Sequence, residues 1–137
     1  MTNEVFLDTA YAIALSVESD EHHEQAEELA EQLEAEQTLL VTTQAVLLEI
    51  GNALSKKRYR KAAVELLDAL GQDPQVEIVT LTEELYEQAL ELYRSRPDKE
   101  WGLVDCVSFV VMPARGLTEA LTTDEHFEQA GFRVLLR

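Results

Sequence analysis

A single cysteine, Cys106, leaves this 137-residue chain with no possible internal disulfide. No apolar run approaches the ~20 residues that a membrane-spanning helix needs. Near the N-terminus Glu4 and Asp8 bracket a brief apolar run, without the basic start and longer apolar core of a secretory signal. These absences set the expectation of a cytoplasmic protein with no membrane contact. No linker, repeat or low-complexity tract breaks the chain, so one domain over residues 1–137 is expected, large enough to bury roughly two-thirds of its unfolded surface. Basic residues are scarce too: 11 against 27 acidic ones, a formal net charge of −16. Such a field repels phosphate chains and disfavours nucleic-acid binding through a generally basic surface. It suits metal ions, a basic partner protein or a cytoplasm of high ionic strength. The few cations are concentrated, with Lys56, Lys57, Arg58, Arg60 and Lys61 around Tyr59.

An apolar share of 46 % with several periodic segments makes the chain globular. Val5-Phe6-Leu7 reads as a buried strand that ends abruptly in Asp8-Thr9. Groups at the carboxyl end of a central parallel strand face the crevice where ligands bind, so Asp8 is a candidate site residue. The alternative is that Asp8-Thr9 caps the next helix. Tyr11, Ala12 and Leu15 begin that helix. Asp20 is placed to cap a second one, in which His22, Ala26, Leu29, Ala30 and Leu33 share a stripe. His22-His23 does not read as a metal site, since no second histidine follows four residues on.

Thr38 to Thr42 is the second strand, and Thr43 caps a helix whose inner side carries Val46, Leu47, Ile50, Ala53 and Leu54. Glu49 lies within it. After the basic cluster, Ala62, Ala63, Leu66, Leu67 and Leu70 mark a helix expected to end at Gly71. Val76 to Val79 is the third strand. Thr82 then caps a helix with Leu85, Tyr86, Ala89, Leu90 and Tyr93 on its apolar stripe. A polar loop with Pro97 leads to Trp101–Met112, which is apolar almost all round, as a buried helix must be. Asp105 near its start is notable, because a buried aspartate needs a partner. Cys106 reads as a small core residue, with no basic neighbour to activate it. Pro113 and Gly116 are expected to end this helix. Ala120-Leu121-Thr122 is a fourth strand terminating in Thr123-Asp124, Glu125 to Ala130 a short helix, and Arg133 to Leu136 a last strand. Strands alternating with helices specify an α/β fold, a parallel sheet with helices on both faces.

If the first and fourth strands are neighbours, Asp8, Glu49, Asp105 and Asp124 converge on one crevice. Like charges at ~4 Å repel by several kcal/mol at an effective dielectric near 20, so a divalent cation is the natural resolution. All-oxygen ligation suits Mg²⁺ or Mn²⁺, and the lack of evident His or Cys ligands argues against Zn²⁺. Such a cation activates water and neutralises charge developing on a phosphodiester.

The set Phe6-Leu7-Asp8-Thr9, Leu48-Glu49-Ile50-Gly51-Asn52-Ala53-Leu54, Leu103-Val104-Asp105-Cys106-Val107-Ser108-Phe109 and Thr122-Thr123-Asp124-Glu125-His126-Phe127 resembles the PIN-domain ribonucleases. Among these it is most like the small toxins of prokaryotic VapBC-type toxin–antitoxin pairs. The resemblance spans essentially the whole chain in order. It implies a single PIN domain, a three-layer sandwich around a five-stranded parallel sheet of order 3-2-1-4-5, and a Mg²⁺-dependent endoribonuclease. Asp8, Glu49, Asp105 and Asp124 match the family's acidic quartet, with Asp8, Asp105 and Asp124 holding the metal. Thr9 and Thr123 match supporting hydroxyls. Homodimers and a cognate antitoxin are the partners it implies. Two features depart from the pattern: Pro113 stands where relatives continue with basic residues, and −16 is an extreme charge for an RNA-cleaving enzyme. Both leave Lys57, Arg58 and Arg60 as the candidate phosphate contacts, against the reading of a solvated helix junction. The rival from another class is a non-catalytic PIN-like module that binds a basic protein through its acidic surface. A phosphatase of similar form would need Asp-x-Asp, which Asp8-Thr9-Ala10 does not supply.

Overall fold

The short apolar run at the start of the chain becomes the middle of a sheet. A computed structural model describes residues 3–137. Strand β1 (Glu4–Leu7) pairs in parallel with β2 (Leu39–Thr43) on one side and β4 (Glu119–Leu121) on the other. Strands β3 (Val76–Val79) and β5 (Arg133–Val134) complete the order 3-2-1-4-5. Burial follows position: Val5, Phe6, Leu7, Val41, Ala120 and Leu121 are buried, whereas every residue of outer β3 is only half-buried. Neighbours on both edges and helices on both faces are what make the central strands continuously apolar.

The connections fix the layers. From β1 the chain steps outward through α1 (Thr9–Ser16) and α2 (His23–Ala35) to β2, then through α3 (Gln44–Ala53) and α4 (Lys57–Gln72) to β3. It returns across β1 through α5 (Glu83–Ser95) and α6 (Leu103–Ala114) to β4, and ends through α7 (Glu125–Gln129) at β5. Right-handed crossovers therefore send α1–α4 to one face and α5–α7 to the other, and the helices of each set pack on one another. The reversal between β1 and β4 is a switch point, and it opens a crevice at the carboxyl ends of those strands. Asp8 N–H donates to Leu121 O at 3.2 Å, which carries the β1–β4 ladder to the crevice floor.

Both expected threonine caps form. Thr43 Oγ1 accepts from Val46 N–H and Thr82 Oγ1 from Leu85 N–H, each at 3.1 Å. Several boundaries shift. Asp20 does not cap α2; its carboxylate accepts from His22 N–H at 2.9 Å, a turn that delays the helix to His23. Helix α4 runs past Gly71 to Gln72, and α6 accommodates Pro113 in its last turn and ends at Ala114. Gly116, at φ +68°, supplies the left-handed turn after it. Ala53 is exposed, as are Tyr86 (43 %) and Tyr93 (50 %), so the inner stripes of α3 and α5 are narrower than their spacing implies. No helix among the described residues is long and apolar enough to cross a membrane.

Candidate metal centre

Each of the four carboxylates reaches the crevice from a different element. Asp8 follows β1 directly and holds the N-cap position of α1, yet its side chain makes no capping bond. Instead Asp8 Oδ2 accepts from Thr122 Oγ1 at 2.8 Å, across the β1–β4 junction. Glu49, half-buried on α3, accepts from Thr9 Oγ1 at 2.5 Å. Asp105 stands in the first turn of α6, where Oδ2 accepts from Gly102 N–H at 3.1 Å. Asp124 caps α7, accepting from His126 N–H at 2.9 Å. The capping alternative weighed for Asp8 is thus not what its side chain does, whereas Asp105 and Asp124 each bond a backbone N–H at the start of a helix.

Four aromatic rings hold these elements together beneath the site. Trp101 meets Phe109 edge-on at 5.0 Å, Phe109 meets Phe127 at 4.9 Å, and Phe127 packs 6.2 Å from Phe6. Trp101 Nε1–H also donates to Gln129 Oε1 at 3.0 Å, tying the start of α6 to α7. Edge-to-face pairs of this kind contribute about 0.5–1.5 kcal/mol each beyond their burial.

The electrostatics report crowding. Burial, partly offset by the hydrogen bonds from Thr122 and Thr9 N–H, pushes the Asp8 carboxyl up to about 7, and the charges of Asp105 and Glu49 push the same way. Asp105 is also raised, first by burial and then by Asp124, against the Gly102 N–H and His126. Asp8, 5 % exposed, is the most enclosed of the four. Apolar neighbours in the sequence point to Asp105 instead, but the first turn of a helix stays open to the crevice.

The structure adds two residues. His126 Nδ1 lies 3.2 Å from Asp105 Oδ2 and 3.4 Å from Asp124 Oδ1. One ligand atom from each of Asp105, Asp124 and His126 falls within 4.8 Å of the others, a spacing able to hold a metal ion. The sequence offers no evident histidine donor; α7 folds back and lays the imidazole of His126 on α6. The second is Thr122, which donates to Asp8 and accepts from Asp124 N–H at 3.1 Å. Its neighbour Thr123, the expected hydroxyl, is exposed. Lys57, Arg58 and Arg60 lie in the exposed first turn of α4. There Arg58 covers the Tyr59 ring at 4.8 Å and Arg60 donates to Ser55 O.

Removing metal is expected to destabilise the fold. At a hundredfold excess over Kd a cation stabilises by about 2.7 kcal/mol. Thermal melts in EDTA and in Mg²⁺ check this, with Asp105→Asn responding much less than wild type.

The chain and its fold have known counterparts. The PIN domain family pattern matches residues 5–133. The 23S rRNA-specific endonuclease VapC20 of Mycobacterium tuberculosis is 30 % identical over 128 residues, 93 % of this chain and 95 % of that protein, in strains CDC 1551 / Oshkosh and H37Rv alike. The crystal structure of M. tuberculosis VapC20, a sarcin-ricin loop cleaving toxin, superposes with a TM-score of 0.84 at 29 % identity, covering 97 % of this chain and 99 % of that one. VapBC2 from Rickettsia felis, bound to a DNA fragment from its promoter, shares the fold at TM-score 0.68 and 14 % identity, covering 96 % and 97 %. On the family pattern and the extent of these matches, the chain belongs to the PIN-domain family and is of the VapC type.

Proposed function

We propose that residues 1–137 form a single PIN domain that cleaves RNA phosphodiesters hydrolytically with a divalent metal, as the toxin of a toxin–antitoxin pair. The observation that carries the reading is the gathering of Asp105, Asp124 and His126 close enough to share one ion, beside an Asp8 whose carboxyl is pushed up by burial and by neighbouring carboxylates. Asp8, Asp105 and Asp124 are the metal-holding carboxylates, and Mg²⁺ or Mn²⁺ fits their oxygen-rich set. When bound, the cation supplies charge neutralisation and a water acidic enough to attack phosphorus. Glu49, held by the Thr9 hydroxyl, would complete the site or orient an attacking water, and its carboxylate would serve as the acceptor for a proton released there. Thr122 holds Asp8 and the α7 N-terminus in register. His126 would add one nitrogen donor to this oxygen-rich set.

Lys57, Arg58 and Arg60 serve as phosphate contacts. Cations in the first turn of a helix oppose its dipole by about 0.3–1 kcal/mol each, a placement that helix stability alone does not favour. By likeness to VapC20 the substrate is ribosomal RNA, and by likeness to a VapBC complex the protein partner is an antitoxin; a homodimer is part of the same reading.

Incubation with RNA in Mg²⁺ or Mn²⁺ and in EDTA tests the reading. Cleavage is expected only with metal. The products should carry no cyclic phosphate, and a 2′-deoxy substitution at the cut position should be tolerated, because water and not the 2′-hydroxyl attacks. Metal-independent cleavage, or cyclic-phosphate ends, would overturn the assignment.

A further inference from the structure

A second feature lies beside the centre, on the loop from α5 to α6. Tyr93, Arg94, Arg96, Lys99, Trp101 and Gly102 line a cleft of about 530 Å³, a volume ordinary for small-ligand sites. Six of the eleven cationic residues lie outside the 56–61 stretch, and Arg94, Arg96 and Lys99 are three of them. The cleft adjoins the carboxylates in two ways. Gly102 on its wall donates to Asp105 Oδ2, and Lys99 also lines a smaller hollow of about 240 Å³ shared with His126.

The side chains differ in what they offer. Asp98 grips Arg96 with two hydrogen bonds of 3.0 Å, so its charge is already answered. That grip fixes the guanidinium plane, which lies 5.1 Å over the Trp101 ring and can carry a planar group on its outer face. Tyr93 presents a half-exposed ring to the same cleft. Among the described residues Arg94 pairs with the exposed Glu91 at 3.6 Å, and such pairs are weak enough to yield to phosphate. Glu100 is the one carboxylate on the wall, and it disfavours a purely anionic ligand such as an acidic peptide. A flat uncharged ring with phosphates attached fits this set best.

Resting on the nuclease reading above, we propose that the cleft is a subsite for one nucleotide of single-stranded RNA beside the scissile phosphate. Its base stacks on Arg96 and Tyr93, and its phosphates meet Arg94 and Lys99. Stacking on aromatic rings and guanidinium planes is how proteins hold unpaired bases.

Trp101, the only tryptophan in the chain, reports occupancy by its fluorescence. The test titrates a short fluorescein-labelled single-stranded RNA into full-length Asp8→Asn protein with Mg²⁺, reading anisotropy and Trp101 emission together. Emission is expected to change in step with anisotropy. Tyr93→Leu and Arg96→Lys should each weaken binding about tenfold and leave the salt dependence alone. Arg94→Gln with Lys99→Gln should lower the log–log salt slope by about 1.4, at roughly 0.7 per phosphate on a single strand. Charge reversal at Lys57, Arg58 and Arg60 should lower the slope but preserve the Trp101 signal at saturation. Binding with silent Trp101 emission, or unaltered by the Tyr93 and Arg96 substitutions, would overturn the subsite and leave the nuclease reading standing. Equal competition by poly-L-glutamate would reduce the cleft to an anion surface and overturn it too. RNA that wild type neither binds nor cuts would sink both.

Discussion

Asp8→Asn is expected to slow metal-dependent RNA cleavage by at least about a hundredfold, the scale on which loss of one preorganised electrostatic group is felt. The substitution keeps the shape of a residue that is 5 % exposed at the end of the central strand. Its amide oxygen can still accept from the Thr122 hydroxyl, so the β1–β4 junction stays closed. What disappears is one negative charge toward the cation. Thr122→Val is the companion variant. It leaves the charge and removes the hydroxyl that joins Asp8 to the α7 N-terminus, so a smaller loss of roughly 10–100-fold is expected, as for other groups that orient metal ligands. Single-turnover cleavage of a labelled RNA at saturating Mg²⁺ measures both. Wild-type rates from Asp8→Asn would reduce Asp8 to a buried residue of the helix junction and move the reaction to the Asp105–Asp124–His126 side alone.

The strand order is legible in the sequence through the resemblance to the PIN-domain ribonucleases, whereas Asp8 and Asp124 stand out as candidate site residues for a local reason. At Leu7-Asp8 and Leu121-Thr122 an apolar run stops at the carboxyl end of a strand, and such ends face the crevice. Thr123 is expected from the resemblance, which does not say which of two adjacent hydroxyls turns inward; β4 ends at Leu121, and it is Thr122 that is buried against Asp8 while Thr123 is exposed. His126 escapes for a different reason. Its contact with Asp105 closes across 21 residues and depends on how α7 is set against α6 by Trp101, Phe109 and Phe127. No helical i, i+4 spacing announces it; the only signal is the neighbourhood of Asp124 in Thr122-Thr123-Asp124-Glu125-His126. Arg94, Arg96 and Lys99 are spaced too loosely to read as a cluster until the loop folds them around Trp101. The burial of Asp8 relative to Asp105 likewise depends on which strand is central, a property of the sheet and not of the local run.

That burial is expected to make the metal-free protein more stable at pH 5 than at pH 8. The Asp8 carboxyl is pushed up to about 7 in the folded chain, chiefly by desolvation, against a value of 3.8 without that environment. Between those two values the native state keeps a proton that the unfolded state has released. Stability therefore falls as pH rises from about 4 to about 7, and the Asp8 contribution is level above that. The displacement corresponds to a loss of order 4 kcal/mol across the window. Asp105, raised in the same sense, steepens the trend. So does the general repulsion in a chain of net charge −16, so the slope in wild type alone does not isolate the site. Asp8→Asn isolates it. The variant has no proton to lose there, and its melting temperature in EDTA should exceed that of wild type at pH 8 by a margin that shrinks as the pH falls toward 5. Metal binding reverses the preference, because a cation favours ionised carboxylates, so saturating Mg²⁺ should stabilise wild type more at pH 8 than at pH 5. Melts of both proteins from pH 5 to pH 8, in EDTA and in Mg²⁺, decide the matter. Parallel curves for wild type and Asp8→Asn would show that Asp8 is ionised throughout, and that the repulsion among the four carboxylates is relieved at another of them.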